Sequence, residues 1–251
     1  MKGVLLAGGK GTRLYPCTKV TNKHLLPVFN KPMIFYPLET LINSGIREIL
    51  IVTGREHMGA VIQTLGSGKD FGVEFTYKVQ DQAGGIAEAL LLAEGFVQND
   101  NVAVILGDNI FEEDFKSDVL DFTGGAKIFL KKVSDPQRFG VAEIRDSKVM
   151  RIIEKPKKFI SDLAVTGFYL YDCEVFDVIR SQEYSDRGEL EITDTNRYYL
   201  VHHRLTYRIL DGFWSDAGTF ISLFKSSQHF YERKIRLNNS KKQGIKDVFS
   251  Q

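Results

Sequence analysis

The chain opens on a short apolar run, Val4-Leu5-Leu6-Ala7, that empties directly into Gly8, Gly9 and Gly11 and then Thr12-Arg13. Four consecutive apolar residues bounded by glycine read as a strand buried on both faces, and such strands belong to parallel sheets covered by helices. The same kind of run recurs. Glu48 to Thr53 and Val102 to Leu106 read as buried strands, and Val73 to Val79 reads as one with polar alternation. Helical patterns separate them at Phe35 to Asn43, His57 to Leu65 and Ile86 to Phe96. Strand alternating with helix predicts an α/β, Rossmann-like, mostly parallel sheet flanked by helices, with ligand sites at the carboxyl ends of its strands.

The second half has a different rhythm. Ala126 to Val133, Gly140 to Ile144, Val149 to Glu154 and Val165 to Tyr171 are strands with short connections, which predicts antiparallel strands added to the sheet. Helices are expected at Glu174 to Ile179 and Thr193 to Val201, a strand at Leu205 to Ile209 and a last helix at Phe220 to Arg233. No repeat or low-complexity linker interrupts the pattern. One domain is expected over 1–232, with a nucleotide half at about 1–125 and a second-substrate half at about 126–232. The basic residues from Arg233 to Lys246 read as a solvated tail spanning 233–251.

Glycines after a buried strand let backbone N–H groups approach an anion, and an arginine nearby adds a planar phosphate donor. Two familiar phosphate loops are excluded by spacing. A P-loop needs G-x-x-x-x-G-K-[ST], but Val4 stands at its first glycine and Gly11 follows Lys10. A dinucleotide fingerprint needs G-x-G-x-x-G, and Leu14 stands at its third glycine. The net charge of +1 favours neither nucleic acid nor an anionic membrane, so any anion must be held locally. No stretch approaches the roughly 18 apolar residues of a membrane span, and Val4 to Ala7 is too short for a signal peptide core. With only Cys17 and Cys173, in no metal spacing, a reducing, cytoplasmic setting is expected.

Further candidates follow the strands. Asp108, after Val102 to Leu106, is placed to hold Mg²⁺, which takes one or two carboxylates plus phosphate oxygens; the competing reading is a helix cap. Asp216, beside the only tryptophan, Trp214, would complete a carboxylate pair. Lys23 would neutralise charge on a transferring phosphoryl group. His24, His57 and the His202-His203 pair carry no ligand spacing and read as structural.

Together these segments resemble the sugar-1-phosphate nucleotidyltransferases, most closely the glucose-1-phosphate thymidylyltransferase branch. The blocks are L-A-G-G-x-G-T-R-L at Leu6 to Leu14, N-K-H-L-L-P-V at Asn22 to Val28 and K-P-M-I at Lys31 to Ile34. They continue with V-Q-D-Q-A-G-G-I-A at Val79 to Ala87, L-G-D-N at Leu106 to Asn109 and R-F-G-V-A at Arg138 to Ala142. The last are E-K-P at Glu154 to Pro156, V-T-G at Val165 to Gly167, R-G-E-L-E-I-T-D at Arg187 to Asp194 and W-S-D-A-G-T at Trp214 to Thr219. Longer members carry extra C-terminal helices that help form an allosteric nucleotide site. Here only the basic tail follows Phe230, so the resemblance is to the short form.

The resemblance implies roles. The backbone of Leu6, Ala7, Gly8, Gly9 and Gly11 would cradle a nucleotide, with Thr12 and Arg13 on its departing phosphates and Lys23 on the reacting one. Gln80 and Gly85 would read the base. Asp108 and Asp216 would hold Mg²⁺, with Asp108 also at the nucleotide. Gly140, Glu154, Lys155, Val165, Arg187 and Trp214 would form the sugar-phosphate pocket, with Lys155 and Arg187 on its phosphate. Arg13, Lys23 and Lys155 would be the catalytic cations. The implied substrates are dTTP and glucose 1-phosphate, and the implied assembly is a homo-oligomer supplying a nucleotide sugar for polysaccharide. The rivals are a uridylyl- or cytidylyltransferase acting on a hexose 1-phosphate, or a sugar-nucleotide sensor without turnover. A glycosyltransferase would be expected to carry D-x-D, which Asp108-Asn109-Ile110 does not supply.

Overall fold

The computed structural model describes residues 1–82 and 84–248, with side chains as far as Arg236. Ala83, inside the block Val79 to Ala87, lies outside the described residues, as do the last three residues of the tail and the side chains of Lys241, Lys242 and Lys246.

Strand β1 (Lys2–Ala7) runs through the middle of the molecule, and the alternation of its side chains explains why both faces are covered. Val4 and Leu6 point into one buried cluster, while Leu5 and Ala7 point into the other. A hairpin of β2 (Pro27–Val28) and β3 (Lys31–Pro32) precedes helix α1 (Phe35–Asn43). Then come β4 (Glu48–Gly54), α2 (Met58–Leu65), β5 (Glu74–Gln80), α3 (Ile86–Leu91), α4 (Glu94–Val97) and β6 (Val102–Leu106). The single helix expected over Ile86 to Phe96 is therefore two. Ala93 N–H donates to Leu90 O and Phe96 N–H to Ala93 O, so bonding tightens to i→i+3 between the two helices.

β4 and β6 flank β1 in parallel, and β5 lies outside β4. The chain thus builds outward through β4 and β5, then returns to the other side of β1 with β6. That reversal is a topological switch point, and it opens a crevice beyond the carboxyl ends of β1 and β6.

The second half extends the same sheet. After β7 (Asn109–Phe111) and α5 (Lys116–Leu120) come β8 (Ala126–Lys132), β9 (Gly140–Arg145), β10 (Lys148–Glu154) and β11 (Leu163–Tyr171). Next are α6 (Val175–Arg180), α7 (Ile192–Val201), β12 (Leu205–Ile209), β13 (Trp214–Asp216) and α8 (Phe220–Val248). The main path is β10-β9-β11-β6-β1-β4-β5, with β8 joining β11 and β12 joining β8. β11 is antiparallel to β6, β8 and β9, which gives the mixed sheet expected. One sheet therefore runs across both halves. α8 passes the expected end at Arg233 and continues to Val248.

β11 breaks register with β8 between Val165 and Tyr169. A bulge frees a backbone N–H from the ladder and bends the strand. Here the freed N–H is that of Gly167, which points toward the end of β6.

Candidate active site

Beyond β1 the chain makes a glycine loop whose shape depends on missing side chains. Gly11 sits at φ +66, and a Cβ there would stand 2.8 Å from Thr18 Cγ2 and 2.9 Å from Lys23 Cβ. A Cβ on Gly8 would collide with Gln80 Oε1, and one on Gly9 would touch the end of Lys23. Gln80, at the end of β5, and Lys23 are thus the two walls of the loop. Thr12–Leu14 closes it as one 3-10 turn. Gly107 N–H donates to Leu6 O, extending the β1–β6 pairing to the residue before Asp108. Gly85, at φ +107, presses against the backbone of Leu190, so its turn leans on the segment that carries Arg187.

Lys23 belongs to a 3-10 turn, Lys23–Leu25, capped by Asn22, whose side chain accepts from His24 N–H. The His24 ring is buried and packs on Gly107, where a Cβ would lie 2.7 Å from its Cδ2. Burial, then the neighbouring Lys23 charge, pushes its pKa down to about 3, so it is a neutral wedge at working pH.

Asp108 does not cap a helix. β7 begins at the next residue and pairs with β13, aligning Asn109 with Asp216. Two strands of three residues each therefore bring together carboxylates far apart in sequence. Ala217 N–H donates to Asp108 O at 2.8 Å. Asp108 Oδ2 accepts from Lys23 Nζ at 2.6 Å, and its Oδ1 accepts from Asn109 Nδ2 at 2.9 Å. Burial works to raise the Asp108 carboxyl, but Lys23 and these hydrogen bonds outweigh it and hold the group well below the ordinary range. Asp216 is pushed up to about 6, first by burial and also by the charge of Asp108, against the pull of Arg138. Arg138 donates to Asp216 Oδ2 at 2.6 Å and to Asp135 Oδ2 at 2.8 Å.

A cleft of about 450 Å³ opens from this pair toward β9, β10 and β11. Arg13, Asp108 and Asp216 line one part of it; Gly140, Glu154, Lys155, Val165, Arg187 and Trp214 line the rest. Glu154 accepts from Thr193 Oγ1 at 2.6 Å and lies 3.5 Å from Lys155 Nζ. Lys155 holds a left-handed backbone at φ +41, which turns the chain as it leaves β10. Arg187 meets Glu191 at 2.7 Å, Glu189 at 3.3 Å and Glu154 at 3.5 Å. Leu6, Ala7, Gly8, Gly9, Gly11, Thr12, Gln80 and Gly85 do not line this cleft; Gly8, Gly9 and Gly11 belong to the loop against Gln80 and Lys23. A larger cavity, about 660 Å³, between the β2–β3 hairpin, α1 and α8 contains none of the expected site residues.

Three residues of the site were quoted in sequence blocks without a role. Asn109 is a hub: besides Asp108, it accepts at Oδ1 from Gly167 N–H at 2.9 Å and from Trp214 Nε1 at 2.8 Å. Arg138 reaches Asp216 from the far side of the cleft, and Thr193 anchors Glu154. The only signal was their place inside L-G-D-N, R-F-G-V-A and R-G-E-L-E-I-T-D, since their partners lie far away in sequence.

The arrangement joins a glycine loop, a desolvated carboxylate pair and a pocket with its own cations. The family model described as Nucleotidyl transferase matches residues 2–233. A glucose-1-phosphate thymidylyltransferase of Neisseria meningitidis is 45% identical over 234 residues, covering 90% of this chain and 81% of that one. One from Mycolicibacterium smegmatis is 42% identical over 250 residues, covering 97% and 86%. A Bacillus anthracis crystal structure assigned to the same enzyme, in complex with a sucrose, superposes with TM-score 0.88 at 55% identity over 91% of this chain and 94% of that one. A UDP-glucose pyrophosphorylase, at TM-score 0.82 and 24% identity, shares the fold. The family model and these relatives cover almost the whole chain, which belongs to the nucleotidyl transferase family.

Proposed function

We propose that the protein transfers a thymidylyl group from dTTP to glucose 1-phosphate, giving dTDP-glucose and pyrophosphate. The observation that carries this reading is the cleft that joins the carboxylate pair to the Glu154–Lys155–Arg187 pocket, with Arg13 at their junction. The names of the relatives above support the choice of base and sugar.

An oxygen of the sugar phosphate forms a new bond to the α-phosphorus of the nucleotide. The bond from that phosphorus to the bridging oxygen breaks in line, and pyrophosphate leaves with its electron pair. The attacking oxygen is ionised near neutral pH, the second pKa of a phosphate monoester being about 6, so no general base is needed. This agrees with a neutral, buried His24 that takes no part in proton transfer. Catalysis then rests on positioning and charge. The glycine loop cradles the polyphosphate, with Thr12 and Arg13 at the departing end. Lys23 meets the reacting phosphate, Lys155 and Arg187 orient the attacking one, and Glu154, held by Thr193, accepts from sugar hydroxyls. Gln80 and the Gly85 backbone face the base, and Trp214 walls the pocket.

Asp108 and Asp216 suit Mg²⁺: among the described residues no set of three acidic, histidine or cysteine ligands forms a closed cage, and Mg²⁺ completes its shell with phosphate oxygens. When bound there, the ion supplies charge neutralisation on the transferring group. Among the described residues no helix is long and apolar enough to cross a membrane.

The test is pyrophosphate release from dTTP and glucose 1-phosphate, with Mg²⁺ and with chelator. Turnover that stops with chelator is expected. Thymine differs from uracil by one methyl, worth about 1–3 kcal/mol in a pocket. Competition of dTTP against UTP and CTP therefore measures strictness. Binding of dTDP-glucose without turnover of any nucleoside triphosphate and sugar phosphate would identify a sensor instead.

A further inference from the structure

Both carboxylates assigned above to the metal ion already have cations of the chain on them. Lys23 Nζ lies 2.6 Å from Asp108 Oδ2, and Arg138 Nη2 lies 2.6 Å from Asp216 Oδ2. The remaining oxygen of Asp108 accepts from Asn109. These are not loose surface pairs: the side chains of Lys23, Asp108 and Asp216 are only 13%, 11% and 15% exposed. A free dication entering here would have to displace Lys23 and Arg138 from two largely buried carboxylates, which is unfavourable.

Each cation also has somewhere to go. Lys23 lies along Gly9 and Gly11, so its ammonium already borders the loop that would cradle the nucleotide phosphates. Arg138 is anchored from the other side by Asp135 and lies over the Phe139 ring at 4.9 Å, so its guanidinium keeps a partner when it leaves Asp216. Arg13 differs. It forms no ion pair among the described residues and stands close to Gly218 and the carboxylates, placed to meet an incoming anion first.

We propose that Lys23 and Arg138 are resident counter-ions that close the Asp108–Asp216 pair to free divalent cations. The pair then accepts one only together with a nucleotide, whose phosphates take the two side chains over. Metal and nucleotide affinity are thereby coupled, and Arg138 sets the strength of that coupling. The inference rests on the reading of Asp108 and Asp216 as the metal carboxylates.

The test titrates nucleotide-free protein with Mn²⁺, following the free ion by electron paramagnetic resonance. Wild type binds weakly. Arg138→Met binds more tightly by about tenfold or more, within the usual range of such couplings, and Asp216→Asn in the Arg138→Met background abolishes the gain. Unchanged affinity in Arg138→Met, or a gain that survives Asp216→Asn, overturns the proposal. Thermal unfolding verifies that the variants are folded, and Arg138→Gln replaces one that is not. Wild type alone also decides: if Mn²⁺ binds it without nucleotide as tightly as it binds Arg138→Met or Arg138→Gln, the closure does not exist. The underlying metal assignment fails separately, if Asp216→Asn keeps wild-type Mn²⁺-dependent pyrophosphate release.

Discussion

The glycine-loop end and the Glu154 end of the site are made in different ways. At the glycine-loop end the mould is backbone. Gly8, Gly9 and Gly11 follow one another in the chain, and their shape is imposed by Gln80 and Lys23 pressed against them. At the Glu154 end the wall is charged side chains, with Lys155 and Arg187 47% and 41% exposed and held by Glu154, Glu189 and Glu191. The first end is shaped before a ligand arrives. The second holds its cations on neighbouring carboxylates. Rigidity comes from steric fit in one case and from exchangeable ion pairs in the other.

The comparison can be broken first where the two ends meet. Asp108→Asn removes a carboxylate that both ends depend on, and turnover should fall about a thousandfold, some 4 kcal/mol of barrier. Pyrophosphate release at saturating substrates, with circular dichroism as the fold control, measures it. Turnover within a few-fold of wild type would remove Asp108 from the chemistry.

Next comes the backbone mould. Gly8→Ala places a methyl on Gln80 Oε1, and KM for dTTP should rise about 10- to 100-fold, as one or two close contacts can cost 1–3 kcal/mol. Adding Gln80→Ala should recover part of that loss by making room, which a double-mutant cycle would read as strong coupling. Purely additive losses would mean that Gln80 does not shape the loop.

A smaller effect is expected at the other end. Thr193→Val takes away the hydrogen bond that steadies Glu154, and such a bond to a charged group is worth about 1.5–3 kcal/mol. KM for glucose 1-phosphate should rise about tenfold or more, with KM for dTTP changed less than about twofold. Equal changes in both constants would mean that the ends are not separable.

The last effect is on stability against pH. His24 is pushed down to about 3 in the fold from 6.5, so the unfolded chain takes up its proton first as pH falls. Folding stability is then lost between pH 6.5 and 3, at up to about 1.4 kcal/mol per pH unit. Asp216, raised to about 6 from 3.8, acts oppositely between those values, because there the folded form holds the proton. The difference between wild type and His24→Gln isolates the histidine. Thermal midpoints from pH 7 to 4 should fall more steeply for wild type, and parallel curves would mean that His24 takes up its proton equally in the folded and unfolded chain.

Much of this was legible in the chain. Phe35–Asn43, Val102–Leu106 and Leu205–Ile209 fall at the limits their patterns predict, because period and end signals there agree with the packing. The two helices in place of one over Ile86 to Phe96 and the extension of α8 to Val248 were not, since neither break nor continuation is marked by glycine or proline. In the site, the glycine loop was readable because its glycines are neighbours in the chain, although Gln80, which helps to shape it, is not. Asn109, Arg138 and Thr193 acquired roles only in three dimensions, each through a partner dozens of residues away or more.

By itself, then, the sequence determined an alternating α/β sheet, a glycine loop beyond its first strand and membership of the nucleotidyl transferase family. Period, glycine spacing and family blocks are all properties of neighbouring residues. The tertiary structure alone decided that Asp108 and Asp216 face one cleft, and that Lys23 and Arg138 stand on them. β7 and β13 are too short to be specified by propensity; they exist because each supplies the other's hydrogen bonds, across more than a hundred residues of intervening chain.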